Sequence, residues 1–174
     1  MTQDAGPHKQ EPQYEYEQPQ AGRQKPGRGF RAHNPQGGLI PMSEAASALL
    51  ALKPFISRSQ MQVLWDLCRQ GEEKAHFRQM VQDWSARIAA MPKTYETDGQ
   101  GLKAVAFLHY YTPAFDFFIT EKDRQGDGTV QAFGLACMHA RELGYISIRE
   151  IVSAGAELDL YWVAKTLAEI KGAA

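Results

Sequence analysis

The spacing of apolar residues divides the chain into three stretches. Residues 1–41 contain almost no aliphatic side chains, residues 42–92 repeat apolar positions every three or four residues, and residues 93–174 carry them in short, partly alternating runs. The second pattern is typical of amphipathic helices and the third of short strands. The spacing therefore predicts a tail, a helical part and a sheet, in that order.

Two or more helices are predicted in the helical part. Ser43 is placed to cap the first helix, which ends before Pro54 because the residue preceding a proline leaves the helical region. The second helix begins at Ser57 or Ser59, and Gly71 marks a kink or break. Its apolar stripe comprises Met61, Leu64, Leu67, Cys68, Phe77, Met80, Val81, Trp84, Ile88 and Met91. The stripe is expected to be core, although a face rich in Met and aromatics can also be a partner groove.

Short apolar runs after Pro92 predict the strands of one sheet. They lie at residues 102–111, 115–120, 130–137, 143–146 and 158–163. The first run is almost continuously apolar, as in a central strand covered on both faces. The loop DRQGDG before the third run is interpreted as a polar hairpin loop. It departs from the calcium-loop pattern, which has Asp or Asn where Gln125 stands and requires a bidentate Glu where Gly134 stands. Ser147 and Thr166 each precede a carboxylate by three residues, which predicts two capped helices.

These elements predict a single α+β domain at residues 42–174. N-terminal helices at 42–92 are expected to pack on a small, mainly antiparallel sheet of about four strands, and two short C-terminal helices complete the part at 93–174. Residues 1–41 hold six of the nine prolines together with many Gln and Gly. Such a segment buries too little apolar surface to offset the entropy of ordering it, so a disordered tail is predicted.

The formal net charge of -1 argues against wholesale neutralisation of a nucleic acid or an anionic membrane. Any nucleic-acid contact would have to be local. The tail offers one candidate segment, Arg23, Lys25, Arg28, Phe30 and Arg31, in which cations and an aromatic ring could follow a phosphate backbone and stack on a base. A solvated linker is the other interpretation of the same segment.

The cysteine pattern and the apolar runs indicate a cytoplasmic protein. Cys68 and Cys137 are far apart and neither belongs to a CxxC motif, so free thiols in a reducing compartment are expected. The first ten residues lack the apolar run of a secretory signal, and no apolar run approaches the roughly 18 residues that span a bilayer. No membrane partner is expected.

Five carboxylates form the candidate site for metal-dependent chemistry. They are Glu121, Asp123, Glu142, Glu157 and Asp159, with His109 and His139 as companions. If the strands that carry Glu121 and Asp159 were neighbours, four of these carboxylates could share Mg²⁺ or Mn²⁺ in a hydrolase or nuclease, namely Glu121, Asp123, Glu157 and Asp159. Lys122 directly follows Glu121, whereas nuclease motifs of the acidic-x-Lys type leave one residue between. Solvated or salt-bridged carboxylates at strand ends are the competing interpretation.

The remaining histidines and cysteines do not predict a resident metal or cofactor. Cys137 and His139 supply two ligands, whereas a structural zinc needs four. His109 lies in an apolar run and is expected to be a hydrogen-bonded core residue. No nucleophile elbow, zincin motif, phosphate-binding loop or dinucleotide fingerprint occurs in the sequence.

The ordered segments FITEKD, AFGLA, ELGYISIREI and AELDLYW, followed by KTLAEI, resemble an uncharacterised family of short proteins. This family is classed as a domain of unknown function and is encoded on bacterial plasmids and integrative elements. The resemblance covers roughly residues 57–170 and omits the proline-rich tail. It implies a cytoplasmic bacterial protein of mobile DNA and carries no established activity.

Together, the residues and the resemblance favour a non-enzymatic accessory protein that binds a protein or nucleic-acid partner, with counter-defence as one role. Exposed aromatics are the expected anchors of a partner surface. The candidates are Tyr145, Tyr161 and Trp162, with Tyr110 and Tyr111 as further possibilities. The metal-dependent hydrolase or nuclease is the alternative hypothesis.

Overall fold

A computed structural model describes residues 38–172 of the 174-residue chain. The helices are α1 (Met42–Leu52), α2 (Arg58–Arg69), α3 (Lys74–Ala90), α4 (Ile148–Ser153) and α5 (Leu167–Gly172). The strands are β1 (Val105–Ala106), β2 (Leu108–Tyr111), β3 (Asp116–Glu121), β4 (Ala132–Cys137), β5 (Arg141–Ile146), β6 (Glu157–Leu158) and β7 (Lys165–Thr166). The chain forms helices first, then antiparallel strands and short helices, which confirms the predicted α+β class. Residues 1–37 of the predicted tail lie outside the described residues.

The helix boundaries follow local chemistry, with one correction. Ser57 caps α2, because its Oγ accepts a hydrogen bond from the Gln60 amide at 3.1 Å, and the break at Gly71 is confirmed by its φ of 95°. Ser43 does not cap α1. The helix begins one residue earlier, after Pro41, whose carbonyl accepts the first helical amide bonds. Pro41 is the N-cap residue and has no side-chain acceptor, so no side-chain hydrogen bond caps this helix.

The main sheet contains five antiparallel strands in the order β5-β4-β3-β2-β6, one more than expected. β1 and β7 form a separate two-stranded sheet. The predicted strand at 102–111 is therefore divided at Phe107, whose amide donates to the Ile119 carbonyl at 2.8 Å while β1 leaves to pair with β7. The predicted strand at 158–163 is also shortened, because the Asp159 carboxylate accepts the Tyr161 amide and starts a turn.

The sheet buries side chains on both faces. Leu108, Tyr110, Phe117 and Ile119 belong to the core that the sheet shares with α1, α2 and α3. On the opposite face, α5 and the β1 segment cover a smaller cluster of Ala104, Ala106, Phe118, Leu135 and Leu167. Tyr110 is fully buried and donates its hydroxyl to the Phe55 carbonyl at 2.8 Å, so the expectation of an exposed aromatic there is wrong.

Direct hydrogen bonds fasten the helical part to the sheet. Gln60 donates to the Leu158 carbonyl at 2.9 Å and accepts the Leu158 amide at 3.1 Å. The Trp84 indole donates to the Leu160 carbonyl at 3.0 Å. The Lys122 ammonium donates to two carbonyls at the end of α3, at 2.7 and 2.9 Å. α2 and α3 are therefore hydrogen-bonded to the sheet part at three positions, Leu158, Leu160 and Lys122.

Gly134 allows β3 and β4 to approach closely where their register shifts. It lies opposite Ile119, and the shift falls between Ile119 and Glu121. A Cβ atom at position 134 would lie 2.1 Å from the Phe118 carbonyl oxygen. Only glycine fits this position without movement of the β3 backbone.

β5 is an edge strand of the main sheet. Within residues 38–172, its second edge pairs with no other strand. Leu143 and Tyr145 on this strand are exposed. The Tyr145 hydroxyl donates to that of Tyr95 at 3.0 Å, so Tyr145 faces the loop that follows α3.

Candidate functional site

Glu121 stabilises a turn. Its side chain is 2% exposed, and its carboxylate accepts the Tyr95 amide at 3.0 Å together with the amide and hydroxyl of Thr97 at 2.5 and 2.6 Å. Tyr95 has a φ of 78°, which is unfavourable for a residue with a side chain. The carboxylate therefore offsets the backbone strain at Tyr95. Both of its oxygens already accept hydrogen bonds from the turn.

Asp123 and Asp127 organise the hairpin loop between β3 and β4. Asp123 accepts the amides of Gln125 and Gln131 at 2.9 and 3.0 Å, so one carboxylate joins both sides of the loop. The hydroxyl of Thr129 and the guanidinium of Arg149 bond to Asp127 and lower the pKa of its carboxyl group. These contacts confirm the polar hairpin loop expected from the sequence.

The four carboxylates of the metal-site hypothesis do not come together. That hypothesis required the strands bearing Glu121 and Glu157 to be neighbours, but β2 lies between β3 and β6. Glu157 is opposite Tyr111, which is opposite Asp116 at the far end of β3 from Glu121. Within residues 38–172, no three His, Cys, Asp or Glu side chains are placed to hold a metal ion. The convergence that the alternative hypothesis required is therefore not found among these residues.

A different carboxylate pair surrounds His109 on the face of the sheet that bears Phe118. Asp116 Oδ1 lies 2.8 Å from His109 Nε2, and Asp159 Oδ2 lies 3.1 Å from Nδ1. A neutral imidazole carries one N–H, so both contacts can be donated at once only by the doubly protonated ring. Each ring nitrogen therefore has a carboxylate oxygen as its partner.

Aromatic rings pack around this histidine. The Phe118 ring stacks on it with centroids 4.6 Å apart, and those of Trp162 and Tyr111 lie at 4.9 and 6.0 Å. The Trp162 indole donates to the Ala106 carbonyl at 3.0 Å. His109 is hydrogen-bonded, as the sequence predicted, but it is half-buried and does not belong to the core. Trp162 is a support beneath the surface, which differs from its expected role as an exposed anchor.

The surface above His109 is acidic and aromatic. It consists of Tyr111, Asp116, Glu157, Asp159 and Tyr161, which we term the acidic aromatic patch. The Tyr111 hydroxyl donates to Glu157 at 3.4 Å. Partial burial, followed by the charge and hydrogen bond of Glu157 and the charge of Asp159, raises the pKa of Tyr111. The same negative field that disfavours a phenolate would favour an approaching cation.

An apolar groove adjoins the patch. α2 and α3 form one wall through Val63, Leu67 and Phe77, and the turn after β6 forms the other through Leu160 and Tyr161. The cavity measures about 270 Å³. The Tyr161 side chain is 74% exposed and Val63 56%. Part of the helical stripe thus lines a groove and is only half-buried, while the rest is core as expected.

The other candidate residues lie apart from this patch or outside the described residues. Tyr145 is exposed on β5 beside Tyr95, and Glu142 is exposed on the same strand. Burial raises the pKa of the Cys137 thiol, which disfavours the reactive thiolate, and His139 is exposed. The proposed nucleic-acid segment, comprising Arg23, Lys25, Arg28, Phe30 and Arg31, precedes residue 38 and is not described.

Sequence reasoning named Tyr111 as a further possible anchor but did not find Asp116 or the pairing of His109 with Asp159. One usable signal was present. The short turn between β2 and β3 sets Tyr111 opposite Asp116 and His109 opposite Phe118, so alternate positions of the two strands share a face. Asp159 reaches His109 only because β6 pairs with β2, and no residue near Asp159 in the sequence indicates that pairing.

No known protein family, curated protein or solved structure matches the chain. In the described residues, no helix is both long enough and apolar enough to cross a membrane.

Proposed function

We propose that this protein is a cytoplasmic, non-enzymatic accessory protein of a bacterial mobile genetic element, and that it acts by binding a partner protein. The sequence resemblance supplies the genetic context. The acidic aromatic patch and the adjoining groove supply the binding surface. The carboxylates that a hydrolase would need are instead used in turns and in the contacts of His109.

The exposure of Tyr161 beside three carboxylates and an apolar groove is the observation on which this proposal rests. Tyr161 is 74% exposed and lines the groove together with Leu160 and Val63. Large aromatic side chains that can enter a partner's surface supply much of the binding free energy in protein interfaces. A groove beside such a residue gives the partner an apolar place to bury its own side chain.

The charge of the patch favours a partner that carries Lys or Arg. Asp116, Glu157 and Asp159 would repel phosphates, so nucleic acid is a poor ligand for this surface. A nucleic-acid partner would instead use the segment Arg23–Arg31, where four cations occur within nine residues. Counter-defence would be the role if the bound partner were a host defence protein. Binding would then block the surface which that protein uses for its own contacts.

Site-specific photo-crosslinking tests the proposal. A photoreactive phenylalanine analogue replaces Tyr161 in the full-length chain, and the protein is expressed in a bacterial host that carries the mobile element. The same analogue at Tyr145, which is exposed on β5 away from the patch, is the matched control. We expect a discrete protein adduct at position 161 that is absent at position 145.

Two results would contradict this function. One is the absence of any adduct at position 161. The other is an identical set of adducts at both positions, which would indicate nonspecific contact. A Glu157→Lys variant sharpens the test, because reversing one charge of the patch should weaken the capture of a cationic partner without entering the core.

A further inference from the structure

The acidic aromatic patch is short of positive charge. Within residues 38–172, His109 is the only His, Lys or Arg side chain that approaches Asp116 or Asp159 within ion-pair distance, and Glu157 has none. The nearby Arg87 donates to the Trp162 carbonyl at 2.9 Å, and the Lys165 ammonium lies 5.3 Å from the Trp162 ring. The imidazole therefore contacts two of the three carboxylates, and Glu157 is left without a Lys, Arg or His partner.

The same chain contains a segment of the opposite charge. Residues 18–43 include Arg23, Lys25, Arg28 and Arg31 and no Asp or Glu. Phe30 lies among these cations and is the only aromatic residue in that range. The segment thus offers what the patch and groove would bind, namely several cations and one ring.

The described start of the chain lies beside α3, which forms one wall of the groove. The Arg78 guanidinium donates to the Ile40 carbonyl at 2.8 Å, which places the described start of the chain beside α3. The preceding residue, Phe77, lines the groove whose opposite wall carries Glu157 and Tyr161. Elements packed across a groove lie about 10 Å apart. The seven residue steps from Arg31 to Gly38 can extend over about 25 Å, more than this separation requires.

We propose that the segment Arg23–Arg31 binds the acidic aromatic patch of its own chain, with its cations on the carboxylates and Phe30 in the groove. This inference rests on the binding surface proposed above and concerns its regulation. A tethered segment has an effective concentration in the millimolar range, so weak contacts suffice to occupy the surface. An external partner must displace the segment, and a nucleic acid that bound the segment would expose the patch.

A spin label tests this contact in the full-length chain. Gly27→Cys, in a Cys137→Ser background, carries a nitroxide, while Cys68 is fully buried and does not compete for the label. Paramagnetic broadening of amide signals is then measured by nuclear magnetic resonance. We expect the strongest broadening at residues 157–162 and little at residues 141–146 on β5. The effect should be strong at about 0.01 M salt, where the Debye length is about 30 Å, and weak at 1 M, where it is about 3 Å.

Matched charge variants identify the contact. Replacing Arg23, Lys25, Arg28 and Arg31 by Gln removes the four positive charges of the segment and should abolish the broadening. Glu157→Gln should reduce it severalfold. Glu72→Gln, an exposed carboxylate in the turn between α2 and α3, should leave it unchanged. Uniform broadening over the surface, or broadening that survives the four substitutions, would overturn the proposal.

A mixed sample distinguishes the same chain from a second copy. Spin-labelled chains without isotope are combined with isotope-labelled chains without a spin label, and broadening at residues 157–162 in this sample would overturn an intramolecular contact. The crosslink at position 161 is a separate readout. If it persists while the spin label shows no contact, the partner-binding function stands and the intramolecular occupant is rejected.

Discussion

Gly134 shows how one missing methyl group permits the central strand pair to form. We expect Gly134→Ala to lower the free energy of unfolding by about 3 kcal/mol or more, because its Cβ would lie 2.1 Å from the Phe118 carbonyl oxygen and the clash is with rigid backbone. Denaturant unfolding of the purified variant measures the change.

The direct cross-strand partner of this residue provides the control. Gly144 pairs with Gly134, and a Cβ there would meet no atom within 4 Å. Gly144→Ala should therefore change the stability by less than about 1 kcal/mol. Equal losses for the two variants would show that general strand propensity, and not the close approach of β3, determines the effect.

Tyr110 should make the protein sensitive to alkaline pH. Burial raises its pKa well above the usual value of 10.0, so the folded state retains a proton that the unfolded state releases. The stabilising contribution is complete below about pH 10 and is lost as the pH rises toward the folded-state pKa, by about 1.4 kcal/mol per pH unit. Denaturant unfolding at pH 8 to 11 measures this slope.

Tyr110→Phe isolates the effect from other titrating groups. At pH 8 the variant should be less stable by about 1 to 3 kcal/mol, because the Phe55 carbonyl loses its hydrogen-bond donor. The difference from the wild type should then shrink above pH 10. A difference that stays constant to pH 11 would mean that Tyr110 does not carry the alkaline dependence.

At the scale of elements, the turn after α3 depends on one carboxylate from β3. Glu121→Ala removes the acceptor of the Tyr95 and Thr97 amides, and we expect a loss of about 3 kcal/mol in stability. Amide hydrogen exchange at these two residues should accelerate more than in the sheet. Glu142→Ala, which removes an exposed carboxylate on β5, is the control and should have little effect. Unchanged exchange at both amides would contradict this role for Glu121.

Local signals predicted those elements whose contacts lie within a few residues. The capping residue Ser57 and the break at Gly71 were found because their partners are near in sequence. Thr166 and Glu169 also exchange hydrogen bonds, from the Thr166 amide at 2.7 Å and the Glu169 amide at 3.3 Å. The division of the predicted strand at Phe107 was missed, because the pairing of β1 depends on β7, 60 positions later in the chain.

The candidate site was only partly predictable for the same reason. Tyr161 was identified as an exposed anchor from its residue type. The grouping of Glu121 with Asp159 failed, because sequence alternation gives the face of a strand but not which strands are neighbours. The Asp116–His109–Asp159 arrangement needs β2, β3 and the turn after β6 to meet, and only the first two are joined by a short turn.

At the scale of the whole molecule, α2 and β6 should behave as one unit. Gln60→Ala leaves the amide and carbonyl of Leu158 without these partners, so we expect a loss of about 1 to 3 kcal/mol. Gln62→Ala, on the exposed side of α2, is the control. Circular dichroism and tryptophan fluorescence should still report one coincident unfolding transition. Separate transitions would indicate that the helical part and the sheet unfold independently.

The bond between Gln60 and Leu158 also has a consequence for synthesis on the ribosome. The two residues are 98 positions apart. At a translation rate of about 5 to 20 residues per second, α2 is made about 5 to 20 s before its partner on β6. During that interval the sheet that covers the apolar side chains of α2 and α3 is incomplete. Nascent chains of this protein should therefore depend on chaperones that bind exposed apolar helices.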